Sequence, residues 1–312
     1  MSQQISDSEP AGDGAVDGRS VLDKSIEFLR TCDRTWLGLT IAACLVLGFV
    51  FWALFSQLPY IWLGLGTWEF RSGDGYYSHG VLVPFIAGYI IYQRWPQIKD
   101  TPVRPGWIAI VPFLAMLWIL WAANVADILL IRSYALILGL LSLVWFIAGL
   151  RWMLALSPSI LYLLFALPVW TGVINNYTNP LQVYSTTVSY HLLNVFGYKV
   201  FQHDATTLLL DHFELSIAVP CSGLKLVVAV TAFTVFFMLI ARLKWWANGL
   251  MAAAVLPLCL FINGLRIALI GIVGEERGSA AGFAFHDYSG YITLIVCFFI
   301  IFKFARLLGW KE

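Results

Sequence analysis

The chain has 312 residues, of which 60% are apolar and only 12% charged. A soluble domain carries about 45–50% apolar and about 25% charged residues, so a soluble globular fold is excluded, as are disordered, collagen-like and disulfide-stapled chains. A formal net charge of +1 gives no support to nucleic-acid binding. The five cysteines form no C-x-x-C pair and no metal-ligand spacing. The composition therefore points to an all-α polytopic membrane protein.

Residues 1–35 are rich in Ser, Gly and Asp and lack the apolar core of a cleavable signal. They read as a disordered cytoplasmic tail, and residues 36–312 as a single membrane-embedded domain. A spanning helix needs about 20 mostly apolar residues. Eight segments are expected to span: 36–55, 79–94, 107–123, 130–149, 152–170, 222–241, 246–268 and 288–308. With the N-terminus in the cytoplasm, thirteen of the nineteen basic residues fall on the inner side. That bias places both termini inside.

Residues 171–221 are too polar to span and are expected to form a small extracytoplasmic cap before the sixth helix. Asn179-Pro180 reads as an N-cap followed by proline at the first helical position. Leu181, Tyr184, Val188, Leu192 and Val195 then recur at helical spacing, as in a helix lying on the membrane surface, and Gly197 ends it. A strand pattern follows, with Phe213, Leu215, Ile217 and Val219 on one face and Glu214, Ser216 and Ala218 on the other. It runs into Pro220-Cys221-Ser222-Gly223, where the sixth span begins.

Three residue types in this layout carry chemistry. Cys221 stands before a membrane helix, whose positive end favours thiolate over thiol, with Lys225 one turn further on. A small buried cysteine fits the same pattern. Arg266 follows Asn263 on one helix face, inside an apolar run. A charge at that depth marks a functional site by default, or pairs with a buried acid. His286 opens the eighth span, and its imidazole suits a proton carrier as well as an interfacial helix start. All three map to the outer face. Tyr77 and His79, in Tyr76-Tyr77-Ser78-His79-Gly80, stand at the outer start of the second span as candidate substrate contacts, together with Asn263. Asp127 and Arg132 read as a local ion pair.

Four motifs, Tyr77-Ser78-His79-Gly80 running to Pro84, Pro220-Cys221-Ser222-Gly223-Leu224, Asn263-Gly264-Leu265-Arg266-Ile267, and His286 near Gly290, resemble the exosortase/archaeosortase family of membrane cysteine transpeptidases. The resemblance covers residues 36–308. It implies a cysteine peptidase/transpeptidase that cleaves C-terminal sorting signals at the outer face of the cytoplasmic (inner) membrane through a thioacyl intermediate. Such signals carry a short motif such as Pro-Glu-Pro, a transmembrane helix and a basic end. By resemblance Cys221 is the nucleophile, Arg266 stabilises the transition state and His286 is the acid/base. The implied partners are membrane-anchored substrate proteins, the lipid bilayer and an acceptor amine or hydroxyl, with no cofactor, no metal and no nucleic acid. Competing readings are a multi-span transporter or lipid-linked glycan handler, which would need Arg266 but not Cys221, and a thiol oxidoreductase, which would need a second outer cysteine.

Overall fold

The computed structural model describes residues 41, 45–63 and 77–310. The expected tail at 1–35 lies outside the described residues. The chain divides into Met1–Val46 and Leu47–Glu312, and everything below concerns the second unit. Its helices are α1 (Trp52–Leu63), α2 (Val83–Ile98), α3 (Ile110–Val125), α4 (Leu129–Ala148), α5 (Leu150–Tyr162), α6 (Thr171–Val195), α7 (Leu224–Ile240), α8 (Trp245–Arg277) and α9 (Ser279–Leu307). Between α6 and α7 lie β1 (Phe201–Gln202), β2 (Thr207–Leu209) and β3 (Glu214–Ser216).

Among the described residues four helices are long and apolar enough to cross a membrane: Trp107–Val125, Leu129–Ala148, α8 and α9. A fifth is obtained if the pair Leu150–Phe165 and Pro168–Val195, bent by 68°, is one broken span. The chain is thus a helical membrane protein, but eight spans are not established. The first expected span runs partly outside the described residues. The second and sixth correspond to helices of only 16 and 17 residues, shorter than a straight crossing of the hydrocarbon core requires. The fifth breaks at Leu167, which is extended before Pro168, as the residue preceding a proline tends to be. Trp62 Nε1 donates to the Ala166 carbonyl at that break, 2.7 Å away.

The surface segment also differs from its expected form. Pro180 lies inside α6 rather than at its start. Proline removes one hydrogen bond to the residue four before it, and that residue, Asn176, is exposed. Gly197, at φ +88°, follows the end of the helix as expected. The face that α6 buries in the protein is largely polar. Tyr184 and Val195 are exposed, whereas Thr178, Gln182, Ser185, Thr186 and Ser189 are buried with Leu181 and Leu193. These small polar side chains let α6 approach α8 closely, the packing that membrane helices favour. A Cβ on Gly264 would stand 2.3 Å from Val188 Cγ1.

α8 has 33 residues, about 50 Å at 1.5 Å per residue, which exceeds a hydrocarbon core of about 30 Å. It runs nine residues past its expected end, and α9 starts nine residues before its own. Hydropathy falls over Glu275–Gly282, but the alanines and charged residues there keep helix propensity. Only Gly278, at φ +85°, separates the two helices. The hairpin pinches where a Cβ on Gly282 would lie 3.1 Å from the Gly274 Cα.

The antiparallel sheet has the order β1-β2-β3, with Leu208 opposite Leu215. Phe213, Leu215 and Ile217 are buried with Leu193, Ile267 and Ile270, so the expected alternation holds from 213 to 217. Val219 is exposed because it has already entered the 3₁₀ turn Val219–Ser222. The expected pair of Arg132 and Asp127 is formed at 2.5 Å. Two carboxylates tie the sheet region to the α8 tip. The His212 N–H and Nδ1 both meet the Glu275 carboxylate, Nδ1 at 2.7 Å. The Tyr198 hydroxyl donates to Glu276 at 3.0 Å.

The Glu275 carboxylate holds the His212 imidazole above the ordinary histidine pKa, by hydrogen bond and by charge. The protonated form is therefore favoured in the folded state. The tie is expected to be fully present below the ordinary histidine pKa and to weaken as pH rises through the raised value. Hydrogen exchange at residues 210–213 should accelerate over that pH range beyond its intrinsic dependence, and Glu275→Gln should abolish the extra acceleration.

Candidate active site

The polypeptide leaves β3, makes the 3₁₀ turn Val219–Ser222 and enters α7 through Gly223. Gly223 has φ +83°, and a Cβ there would stand 2.8 Å from Asn263 Nδ2. Both backbone and space therefore demand glycine. This turn carries Cys221, which is 8% exposed.

The turn sits among helices, where backbone carbonyls need partners. Its own N–H from Cys221 donates to the Ala218 carbonyl at 2.8 Å. Three side chains from α6 and α8 donate to three further carbonyls. Gln182 Nε2 donates to Ile217, Asn263 Nδ2 to Cys221 at 2.9 Å, and Ser185 Oγ to Ser222 at 3.2 Å. Asn263 Nδ2 also donates to Ser185 Oγ at 3.0 Å. Ser189 Oγ bridges from α6 to the Gly264 carbonyl at 2.9 Å. The turn that bears Cys221 is thereby strapped to two helices at once.

Cys221 Sγ lies 2.9 Å from His286 Nε2. His286 belongs to the third turn of α9 rather than to its start, so the helix rather than a loop fixes its position. Its Nδ1 is 3.2 Å from Asp287 Oδ1. With Nδ1 protonated toward that carboxylate, Nε2 is free to take the thiol proton, the base arrangement of a cysteine nucleophile. Asp287 is 77% exposed, so water competes for it, and its orienting effect is small beside the sulfur contact.

Arg266 comes from α8, three residues beyond Asn263. Its Nε donates to Ser289 Oγ at 3.0 Å and its Nη2 to the His286 carbonyl at 3.1 Å. Ser289 Oγ donates in turn to the same carbonyl at 3.1 Å. The guanidinium passes over Gly290, 3.7 Å from where a Cβ would be. Two of its three nitrogens thus brace the turn that bears His286, and Nη1 remains for another acceptor. A cavity of about 150 Å³ opens beside Cys221 and His286, between β3 and the α8–α9 hairpin.

The structure therefore brings Cys221, His286, Arg266 and Asn263 together. Tyr77 and His79 are not among the residues lining that cavity. Tyr77 is buried among Ile174, Leu181, Leu224 and Val228, and its hydroxyl accepts from the Trp170 N–H at 3.2 Å. His79 lies in the neighbouring 3₁₀ turn Ser78–Val81. Sequence reasoning missed Gln182, Ser185 and Ser289, whose contacts reach from their helices to other elements. The one available signal was the run of Ser, Thr and Gln through α6. No group of three or more His, Cys, Asp or Glu suited to a metal occurs among the described residues.

Residues 67–303 match the family described as Transmembrane exosortase. No curated protein and no solved structure matches the chain.

Removing Asn263 takes away a buried hydrogen bond to the Cys221 carbonyl, a loss of about 1–3 kcal/mol. Asn263→Ala should lower unfolding stability in detergent by that amount. Asn194→Ala, which removes an exposed bond to the Tyr190 carbonyl, should change it little.

Proposed function

The chain belongs to the transmembrane exosortase family, a family of cysteine transpeptidases, and on that premise we propose that it cleaves the C-terminal sorting signals of membrane-anchored proteins and transfers them to an acceptor. The single observation that carries this reading is the 2.9 Å contact between Cys221 Sγ and His286 Nε2. Protein cysteines placed for packing alone have no need of an imidazole held at that distance by a separate helix.

The steps follow from the geometry. His286 Nε2 takes the Cys221 proton, and the thiolate attacks the scissile carbonyl. The carbonyl oxygen becomes an oxyanion, to which Arg266 donates through Nη1, a charge-assisted bond that strengthens as the charge develops. The C–N bond breaks and the imidazolium gives its proton to the departing amine. The C-terminal helix leaves, and the N-terminal part stays on Cys221 as a thioester. An acceptor amine or hydroxyl then loses its proton to Nε2 and attacks the thioester, and the Cys221 thiolate departs.

A substrate held by one helix diffuses in the bilayer beside the bundle, and its cleavage site emerges level with Cys221. The excess of basic residues in the expected inner loops puts this site on the extracytoplasmic side of the cytoplasmic membrane, with both termini inside. The sheet and α6 then form a cap over the site. No step calls for a cofactor.

The test is co-expression with a tagged protein that ends in Pro-Glu-Pro, an apolar helix and a basic tail. Wild type is expected to remove the helix, and Cys221→Ala to abolish removal. Arg266→Lys keeps the charge but not the planar fork, and is expected to lower kcat about 10²–10³-fold, the range for loss of an oxyanion donor. Processing by Cys221→Ala at the wild-type rate would contradict the mechanism, whereas a transporter would tolerate that substitution.

A further inference from the structure

β3 is the last strand of its sheet. Leu210 N–H donates to the Phe213 carbonyl at 3.0 Å and Ile217 N–H to the Thr206 carbonyl at 2.8 Å, while Leu215 faces Leu208. The Phe213 C=O and the Ile217 N–H thus point toward β2, with Leu215 between them in the same phase. In an antiparallel ladder these groups alternate, so the N–H and C=O of Glu214 and Ser216 point out from the opposite edge. Both residues are exposed, and among the described residues none pairs with that edge. An uncovered edge is a template for another extended chain.

The edge is not an isolated feature. The cavity beside it is lined by Glu214, Ser216 and Ile217 on one side and by Gly282, Phe283 and His286 on the other, and it reaches Cys221. The strand therefore leads along the cavity straight to the sulfur. Direction follows from topology. β3 runs from the sheet toward α7, an apolar helix. A substrate cleaved just before its membrane helix runs the same way, from a surface segment into the bilayer.

We propose that the outer edge of β3 takes an extended segment of the substrate polypeptide as a fourth, parallel strand, and that main-chain bonds with Glu214 and Ser216 deliver the scissile carbonyl to Cys221. This rests on the proposed transpeptidase function and adds how its substrate is held. At about 3.3 Å per residue, the exposed edge holds about two to four residues preceding the scissile bond. Recognition through main-chain groups gives affinity to any extended chain, and alternate side chains supply selectivity from the pockets they meet.

The experiment uses purified full-length protein and a synthetic probe that carries Pro-Glu-Pro, an apolar helix and a basic end. Each non-proline amide around the scissile bond is replaced in turn by an ester, which removes one N–H and keeps the side chain. Strand addition predicts losses of tenfold or more in kcat/KM at residues spaced by two, with little change between them. A profile flat within twofold overturns it. On the enzyme, Ser216→Pro removes an edge N–H that β2 does not use, and is expected to lower kcat/KM tenfold or more while iodoacetamide still alkylates Cys221 at the wild-type rate. Wild-type kcat/KM in that variant also overturns the proposal, and loss of alkylation leaves the ester profile to decide. The two readings fail separately. Cleavage that persists in Cys221→Ala contradicts the nucleophile, whereas Cys221-dependent cleavage with a flat ester profile contradicts strand addition alone.

Discussion

A turn of backbone buried among helices holds its carbonyls away from bulk water, and the turn that bears Cys221 meets this constraint with borrowed side chains. Gln182, Ser185 and Asn263 donate to the carbonyls of Ile217, Ser222 and Cys221. Each unsatisfied buried carbonyl would cost about 1–3 kcal/mol. The donors come from α6 and α8, so satisfying the turn also fixes where those helices lie relative to α7. Gly223 allows the close approach, and Gly264 lets α6 settle on α8. The geometry of the sulfur is thus a consequence of hydrogen-bond accounting in the bundle.

The second half of the site depends on the α8–α9 hairpin. Because both helices continue past their apolar stretches, His286 sits on a rigid helix and Arg266 can brace that helix from across the hairpin. The braced His286 carbonyl and the strapped Cys221 carbonyl belong to the two residues whose side chains meet. The same α8 extension carries Glu275 and Glu276 to the sheet region, so one helix supports the arginine, the asparagine and the sheet.

Much of this was legible from residue type and order. Cys221 before an apolar run, Arg266 inside one and a nearby histidine are costly placements, and cost in an apolar chain is readable. The alternation from Phe213 to Ile217 was readable because a strand with one buried face repeats every two residues. What hydropathy could not show was helix that is not apolar. It stopped α8 at residue 268 and started α9 at 288, whereas backbone hydrogen bonding and propensity carry α8 to Arg277 and begin α9 at Ser279. It also said nothing of the face that α6 buries in the protein, where close helix packing selects small side chains such as Ser185 and Ser189. Pro180 was read as a start because a helix interior usually rejects it, and here the residue that loses its partner faces outward.

The central claim is that Cys221 carries the substrate through a covalent intermediate. Its most direct test is to quench the reaction of purified protein with a sorting-signal peptide in acid and to map adducts by mass spectrometry. The account predicts a peptide spanning Cys221 that has gained the mass of the substrate's N-terminal fragment, an adduct released by hydroxylamine as a thioester is. Turnover without any adduct on Cys221, or with one on another residue, would contradict it.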